Sequence, residues 1–261
     1  MEQVVSKDGT KISFWKSGAG RPALLVHGTT ADHNRWAGIS PNLEQHFTVY
    51  AMDRRGRGGS GDAPNYKLQR EAEDVAAVIE SIDEPVFVLA HSYGAICSLE
   101  AALLTDNISH LILYEPPIPT DGPQISPEIP RRMQALIDEG EREMALELFM
   151  REVVRMPEHE LSAYRELPMW QGRIQLAPTI PRELAVDWTY RFDAAKFFSL
   201  KVATMLLLGG DSPPFFRKAV EQVASALPNG RIVELPEQQH IAMDTSPEMF
   251  VGAVVNYLEQ Q

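Results

Sequence analysis

Five short runs of the chain are apolar at nearly every position: "ALLVHG" from Ala23, "FTVYAMD" from Phe47, "VFVLAHS" from Val86, "LILYEPP" from Leu111 and "ATMLLLGGD" from Ala203. A strand with one wet face alternates apolar and polar residues. A strand that does not alternate has both faces covered, as in a parallel sheet sandwiched between helices. Helical periodicity fills several of the gaps, in "LQREAEDVAAVIESI" from Leu68 and "SYGAICSLEAALL" from Ser92. Strand, helix, strand in succession is the βαβ signature, and right-handed crossovers put helices on both faces of the sheet. The expected fold class is therefore α/β, with a mostly parallel central sheet. Ahead of the first run, "EQVVSKDGTKISFWKSG" reads as two strands turning at Asp8-Gly9, a strong hairpin signal.

Each apolar run stops at a polar or glycine-bearing tip: His27-Gly28, Asp53, Ser92, Glu115 and Asp211. In an open parallel sheet such tips are the carboxyl ends of strands, where ligands bind. One connection is far too long for a crossover. Between Pro116 and about Leu200 no buried-strand run occurs, while "PEIPRRMQALIDEG", "EREMALELFMREVV", "PEHELSAYREL" and "PRELAVDWTYRF" read as helices punctuated by prolines. Insertions of this length are characteristically functional lids. The expected organisation is a core of 1–115 and 201–261 with a helical cap of 116–200 after the sixth strand. That segment holds Met133, Met144, Met150, Met156 and Met169, half of the chain's ten methionines, together with Trp170 and Trp188. The plainer account of these residues is a small helical core of their own.

Bulk properties narrow the function classes. A formal net charge of −12 argues against a nucleic-acid partner, since phosphate binding needs clustered lysine and arginine. The single cysteine, Cys97, excludes an internal disulfide framework and fits a reducing compartment. The first residues, "MEQVVSKDGT", carry no secretory pattern, and no apolar run reaches membrane-spanning length. A cytoplasmic protein is the expectation.

Ser92 is the focus of the chemistry. Ala90-His91-Ser92-Tyr93-Gly94 fits small-x-Ser-x-Gly, a pattern that gains weight from its position between a strand and a helix. A nucleophile elbow needs that context, and the flanking small residues let strand and helix approach around a strained turn. A serine hydroxyl also needs a base and a group that orients the base. The partners follow in the order serine, acid, histidine. His240, after "RIVEL" and before a helix beginning near Ser246 or Pro247, is the candidate base. Asp211 is the candidate acid, and Glu115, which also ends a core run, is its rival. Tetrahedral intermediates need donors for the oxyanion. The backbone N–H groups of Tyr93 and of Thr29, just past His27-Gly28, are placed to supply them.

With these motifs in view the chain resembles the α/β-hydrolase superfamily, specifically the small cap-bearing serine hydrolases that include carboxylesterases, lactonases and cofactor-free haloperoxidases. The resemblance runs through "DGTKISF", the "HG" of the third strand, "MDRRGRGGSG", the serine elbow, the helical insertion, "LLLGGDSP" and the final histidine loop. It implies an α/β-hydrolase fold and the triad Ser92, Asp211 and His240. It implies the amides of Thr29 and Tyr93 as oxyanion hole, with neither cofactor nor metal. Ala90 stands where a glycine is usual, and Gln239 where glycine often precedes the histidine.

The implied activity is hydrolysis of a small apolar or aromatic carboxylic ester or lactone, with His27, Trp170, Trp188 and Met243 as candidate pocket residues. C–C bond hydrolysis or perhydrolysis by the same triad is the alternative within enzymes, and a ligand-binding receptor is the alternative outside them. Two other motifs lead nowhere. Gly56-x-Gly58-x-x-Gly61 matches the dinucleotide fingerprint, but it neither follows a strand directly nor opens a helix. "HEL" at His159 begins like a zinc helix but has Ala163 in the fifth position.

Overall fold

The computed structural model describes residues 1–259 and contains one sheet of eight strands: β1 (Glu2–Val5), β2 (Lys11–Gly18), β3 (Arg21–Val26), β4 (Phe47–Met52), β5 (Val86–His91), β6 (Ile108–Tyr114), β7 (Ala203–Gly209) and β8 (Gly230–Leu235). Their order is β1-β2-β4-β3-β5-β6-β7-β8. β2 runs antiparallel to β1 and β4, and every other pairing is parallel. The five apolar runs are β3 to β7, the interior of the sheet. One face buries Ala23, Leu25, Val49, Phe87, Leu89, Ile112, Met205 and Leu207 against Phe250, Val254 and Leu258 of the helix Pro247–Glu259. The alternate set, including Leu24, Val88, Leu111, Leu113 and Leu206, is equally buried. Each full burial of such a side chain contributes roughly 1.5–3 kcal/mol, so both faces drive folding and neither tolerates a polar stripe.

The expected hairpin forms between β1 and β2. Gly9 sits at φ +88°, and Ser6 exchanges backbone hydrogen bonds with Gly9 and Thr10 across the turn. Glycine is required there because other L-residues rarely adopt that φ.

Packing divides the chain into two compact units, one of residues 1–28, 32–120 and 192 onward, the other of residues 29–31 with 121–191. The first holds the sheet. The second is helical, with helices Glu128–Asp138, Arg142–Glu152, Glu158–Arg165 and Met169–Leu176. Pro127, Pro157 and Pro168 each stand immediately before one of them, where the missing N–H breaks no intrahelical bond. This unit has its own apolar core, in which Met133, Met150 and Trp170 are buried among Leu146, Phe149, Leu161 and Ile174. Met144 and Met169 face out. Among the described residues no helix is long and apolar enough to cross a membrane.

The loop after β4 is held by buried ion pairs. Arg54 makes a two-pronged contact with Glu71 (Nε–Oε2 3.0 Å, Nη2–Oε1 2.7 Å), and Arg55 does the same with Asp74 (2.6 and 2.7 Å) while reaching Asp8 at 2.9 Å. Glu71 and Asp74 lie on the inward face of the helix Leu68–Glu80. The glycine run beside them serves this loop: a Cβ on Gly58 would lie 1.8 Å from Asp53 Oδ2. Asp53 accepts from the His33 and Gly59 N–H groups and pairs with His33 Nδ1. Asp32, His33 and Asp53 form the one described cluster with a metal-like donor set. Both Asp53 oxygens are already committed to these loop contacts.

Candidate active site

β3 lies between β4 and β5, so the connections leaving β3 and β5 run in opposite directions. The crevice outside their carboxyl ends is a topological switch point, the usual ligand position in such sheets. His27-Gly28 leaves β3 there, and Ser92 leaves β5.

Ser92 has φ +55° and ψ −125°, a conformation that costs an L-residue of order 1–3 kcal/mol and that surrounding structure must impose. Its N–H donates to the Tyr114 carbonyl at 2.9 Å, and its own carbonyl accepts from Ala95 as the helix Tyr93–Ala101 begins. Two glycines make the corner possible. A Cβ on Gly94 would lie 2.4 Å from the His27 carbonyl oxygen, and one on Gly28 would lie 2.8 Å from Ser92 Cβ. Ala90 is fully buried and small enough for the place usually held by glycine.

His27 is not a pocket residue. It is completely buried, and its Nε2 accepts the Arg54 backbone N–H at 3.1 Å. That contact leaves the ring proton on Nδ1, which donates to the Gly28 carbonyl at 2.8 Å. Burial, with the charges of Arg54 and Arg57, holds the imidazole well below the usual histidine range. The Gly28–Thr29 peptide is planar and trans, so fixing its carbonyl toward His27 directs the Thr29 N–H the opposite way.

His240 pairs with Glu115. Oε2 of Glu115 lies 2.6 Å from His240 Nδ1, and Oε1 accepts the Gly209 N–H at 2.7 Å. Glu115 is fully buried and has φ +47°, a second strained residue at a strand tip. The Phe216 ring stacks on the imidazole with centroids 4.3 Å apart and planes 15° from parallel. The expectation that Asp211 holds the imidazole is overturned. Asp211 is exposed, and its backbone N–H bonds the Gln238 carbonyl. The physical reason is orientation: Asp211 bonds the histidine loop through its backbone and leaves its side chain exposed, whereas the Glu115 side chain is buried against the imidazole. β7 offers the site a backbone donor instead of a carboxylate.

Of the other expected pocket residues, Trp170 and Trp188 belong to the helical unit and Met243 to the core of the sheet. Trp170 is 1% exposed within the helical unit's core, its Nε1 donating to Glu143 at 2.8 Å. Trp188 packs half-buried against the same core. Met243 is buried in the sheet's core, with its sulfur 2.8 Å from Arg35 Nη2. Asp244 is a structural residue, paired with both Arg35 terminal nitrogens at 2.7 Å. Tyr93 is buried, its hydroxyl 2.9 Å from that of Tyr66. This leaves its backbone N–H, at the first turn of a helix, as the group of interest. Sequence reasoning missed Tyr114 and His91 as supports of the histidine loop. Their backbone-directed contacts carry no spacing signal.

The geometry agrees with the chain's relatives. The family model described as "Alpha/beta hydrolase family" matches residues 23–253. An alpha/beta hydrolase from Sphaerobacter thermophilus is 37% identical in sequence and superimposes with a TM-score of 0.82, over 95% of this chain and 100% of that one. A thermophilic esterase from Thermogutta terrifontis, solved with malate bound, shares 22% identity over 99% of this chain and 98% of its own, with a TM-score of 0.74. Among curated proteins, a probable oxidoreductase EphD of Mycobacterium tuberculosis is 36% identical over 100 residues, 36% of this chain. The match spans only 17% of that relative's length. The matched span, together with the strand order, the elbow at Ser92 and the closing histidine loop, shows that this chain belongs to the alpha/beta hydrolase family.

Proposed function

We propose that the protein is a serine hydrolase that cleaves a carboxylic ester or lactone through an acyl-enzyme on Ser92. His240 takes the serine proton as the hydroxyl attacks the carbonyl, and returns it to the leaving alcohol. Water then enters by the same base and releases the acid. Glu115 holds the Nδ1–H tautomer, which leaves Nε2 as the base, and stabilises the imidazolium that forms. The amides of Thr29 and Tyr93 receive the oxyanion. No cofactor takes part.

The observation that carries this reading is the 2.6 Å pairing of Glu115 with His240 Nδ1, in the sheet whose strained elbow bears Ser92. In a triad the carboxylate on Nδ1 fixes the tautomer and stabilises the imidazolium, so that Nε2 can take the serine proton. The reading is further supported by neighbours of the same fold named as esterases, from Thermogutta terrifontis and Rhodococcus sp. ECU1013. A p-nitrophenyl ester series from acetate to decanoate, run with wild type and Ser92→Ala, tests it. Turnover that peaks at one chain length and vanishes in the variant is the expected result. Undiminished turnover by Ser92→Ala would remove the serine from the mechanism.

A further inference from the structure

The segment between β8 and the helix Pro247–Glu259 has little regular structure around His240, with one short helix at Ala242–Thr245. Its anchoring comes from below. The Tyr114 hydroxyl donates to the Gln239 carbonyl and accepts the Ala242 N–H at 3.1 Å. One oxygen thus grips the backbone on both sides of His240. His91 adds a third contact, its Nε2 standing 2.9 Å from the His240 carbonyl oxygen. Tyr114 is fully buried, with its ring 5.4 Å from Phe250 and 5.3 Å from His91.

Successive side chains of a strand point to opposite faces. Tyr114 closes β6 and Glu115 follows it, so ordinary alternation would send only one of them to the histidine loop. The left-handed backbone at Glu115, φ +47°, ends that alternation. Both side chains then reach the same loop, the carboxylate taking the imidazole and the phenol taking the main chain. Burial, and next the Glu115 charge, raise the Tyr114 phenol far above its ordinary pKa. It therefore stays a donor across any pH at which the protein is folded.

We propose that Tyr114 is a positioning residue for His240, its hydroxyl holding the Gln239 carbonyl and the Ala242 N–H so that the imidazole stays aligned between Glu115 and Ser92. This rests on the reading of His240 as the general base. Displacing a reacting group by about 1 Å costs on the order of 10²-fold in rate, which sets the scale of the effect.

The test is Tyr114→Phe, with kcat expressed per active site titrated by a serine-directed phosphonate. The expected result is a fall in kcat of about 10- to 100-fold with KM little changed. The variant carrying 4-aminophenylalanine at 114, which keeps a donor and an acceptor, is expected to recover most of the loss. A purely structural tyrosine would lower the melting temperature and leave kcat per titrated site unchanged, and that result overturns the proposal.

Two NMR measurements do not depend on turnover, and the first of them, made on wild type, does not depend on the variant folding. In wild type the Tyr114 hydroxyl proton is expected to exchange slowly and to show an NOE to the Ala242 amide. Its absence also overturns the proposal. The His240 Nδ1 proton is expected far downfield in wild type and broadened by exchange in Tyr114→Phe. If wild type hydrolyses no ester, the proposed activity fails, and the two NMR results still decide whether Tyr114 holds the loop.

Discussion

Glu115 reaches His240 from the end of β6, Oε2 to Nδ1 at 2.6 Å, while the neighbouring β7 donates the Gly209 N–H to its other oxygen at 2.7 Å. One carboxylate thereby joins two strand ends and the histidine loop. Replacing it with Gln removes the charge that stabilises an imidazolium and permits the wrong tautomer. Glu115→Gln is expected to lower kcat by about 10³- to 10⁴-fold, the scale seen when a triad carboxylate is lost. Asp211→Asn changes an exposed side chain and is expected to stay within about twofold of wild type. Steady-state kinetics of the two variants side by side decides the assignment. An inactive Asp211→Asn beside an active Glu115→Gln would reverse it.

The sheet was legible because strands covered on both faces leave an unbroken apolar trace, and each of the five runs is a central strand. The elbow was legible because its small residues flank Ser92 at fixed positions. The acid was less so, because chain order does not separate the candidates: Glu115 and Asp211 both fall between Ser92 and His240. What separates them is which side chain is buried against the imidazole and which faces solvent, a three-dimensional property. His27, Trp170 and Met243 illustrate the same limit. An apolar or aromatic residue near a site in sequence has the same composition whether it faces a ligand or a core. Tyr114 was invisible for a different reason, since a side chain that bonds the backbone leaves no mark on the sequence it supports.

The close approach of Gly94 to the β3 terminus gives a second prediction. A methyl group there would meet the His27 and Val26 carbonyl oxygens at 2.4 and 2.6 Å, and those atoms belong to the backbone leading into the loop proposed to receive the oxyanion. Gly94→Ala must push the elbow helix and that loop apart. Overpacking of this kind costs typically about 1–3 kcal/mol. A loss of stability in that range by urea denaturation is expected, with kcat/KM falling more than the loss of folded protein explains. Wild-type kinetics in the folded variant would show that the two segments adjust independently.

Glu71 is fully buried between Arg54, at 2.7 Å, and Arg57, at 3.9 Å. Burial pushes its carboxyl up, and the two guanidinium charges more than offset that, holding it below the ordinary carboxylate range. Glu71→Gln removes the anion that Arg54 grips and Arg57 faces, and breaking a buried pair from one side costs about 3–5 kcal/mol. Urea unfolding of wild type and variant at neutral pH measures it. Because the folded-state pKa lies below the unfolded one, this stabilisation is complete above the unfolded pKa and disappears as pH falls through the folded one. The two unfolding free energies should therefore converge in acid. A variant as stable as wild type at neutral pH would show that other groups compensate Arg54.

His27 sets a pH dependence of its own. Burial first, then Arg54 and Arg57, depresses its folded-state pKa well below 6.5, and its Nε2 is occupied as an acceptor by the Arg54 N–H. In the unfolded chain the imidazole titrates near its ordinary value of about 6.5. Below that pH the unfolded state binds a proton that the folded state refuses, so acid favours unfolding. The contribution is complete above about pH 6.5 and declines by about 1.4 kcal/mol per pH unit as pH falls toward the folded pKa. His110, depressed by burial and by Arg21, adds to the slope with the same sign, so the informative quantity is a difference. His27→Gln keeps an acceptor for the Arg54 N–H and cannot titrate. Its unfolding free energy, measured against wild type between pH 7.5 and 5, should fall less steeply. Parallel curves would mean that His27 carries the same proton in both states, and that the loop after β3 is not held by a neutral imidazole.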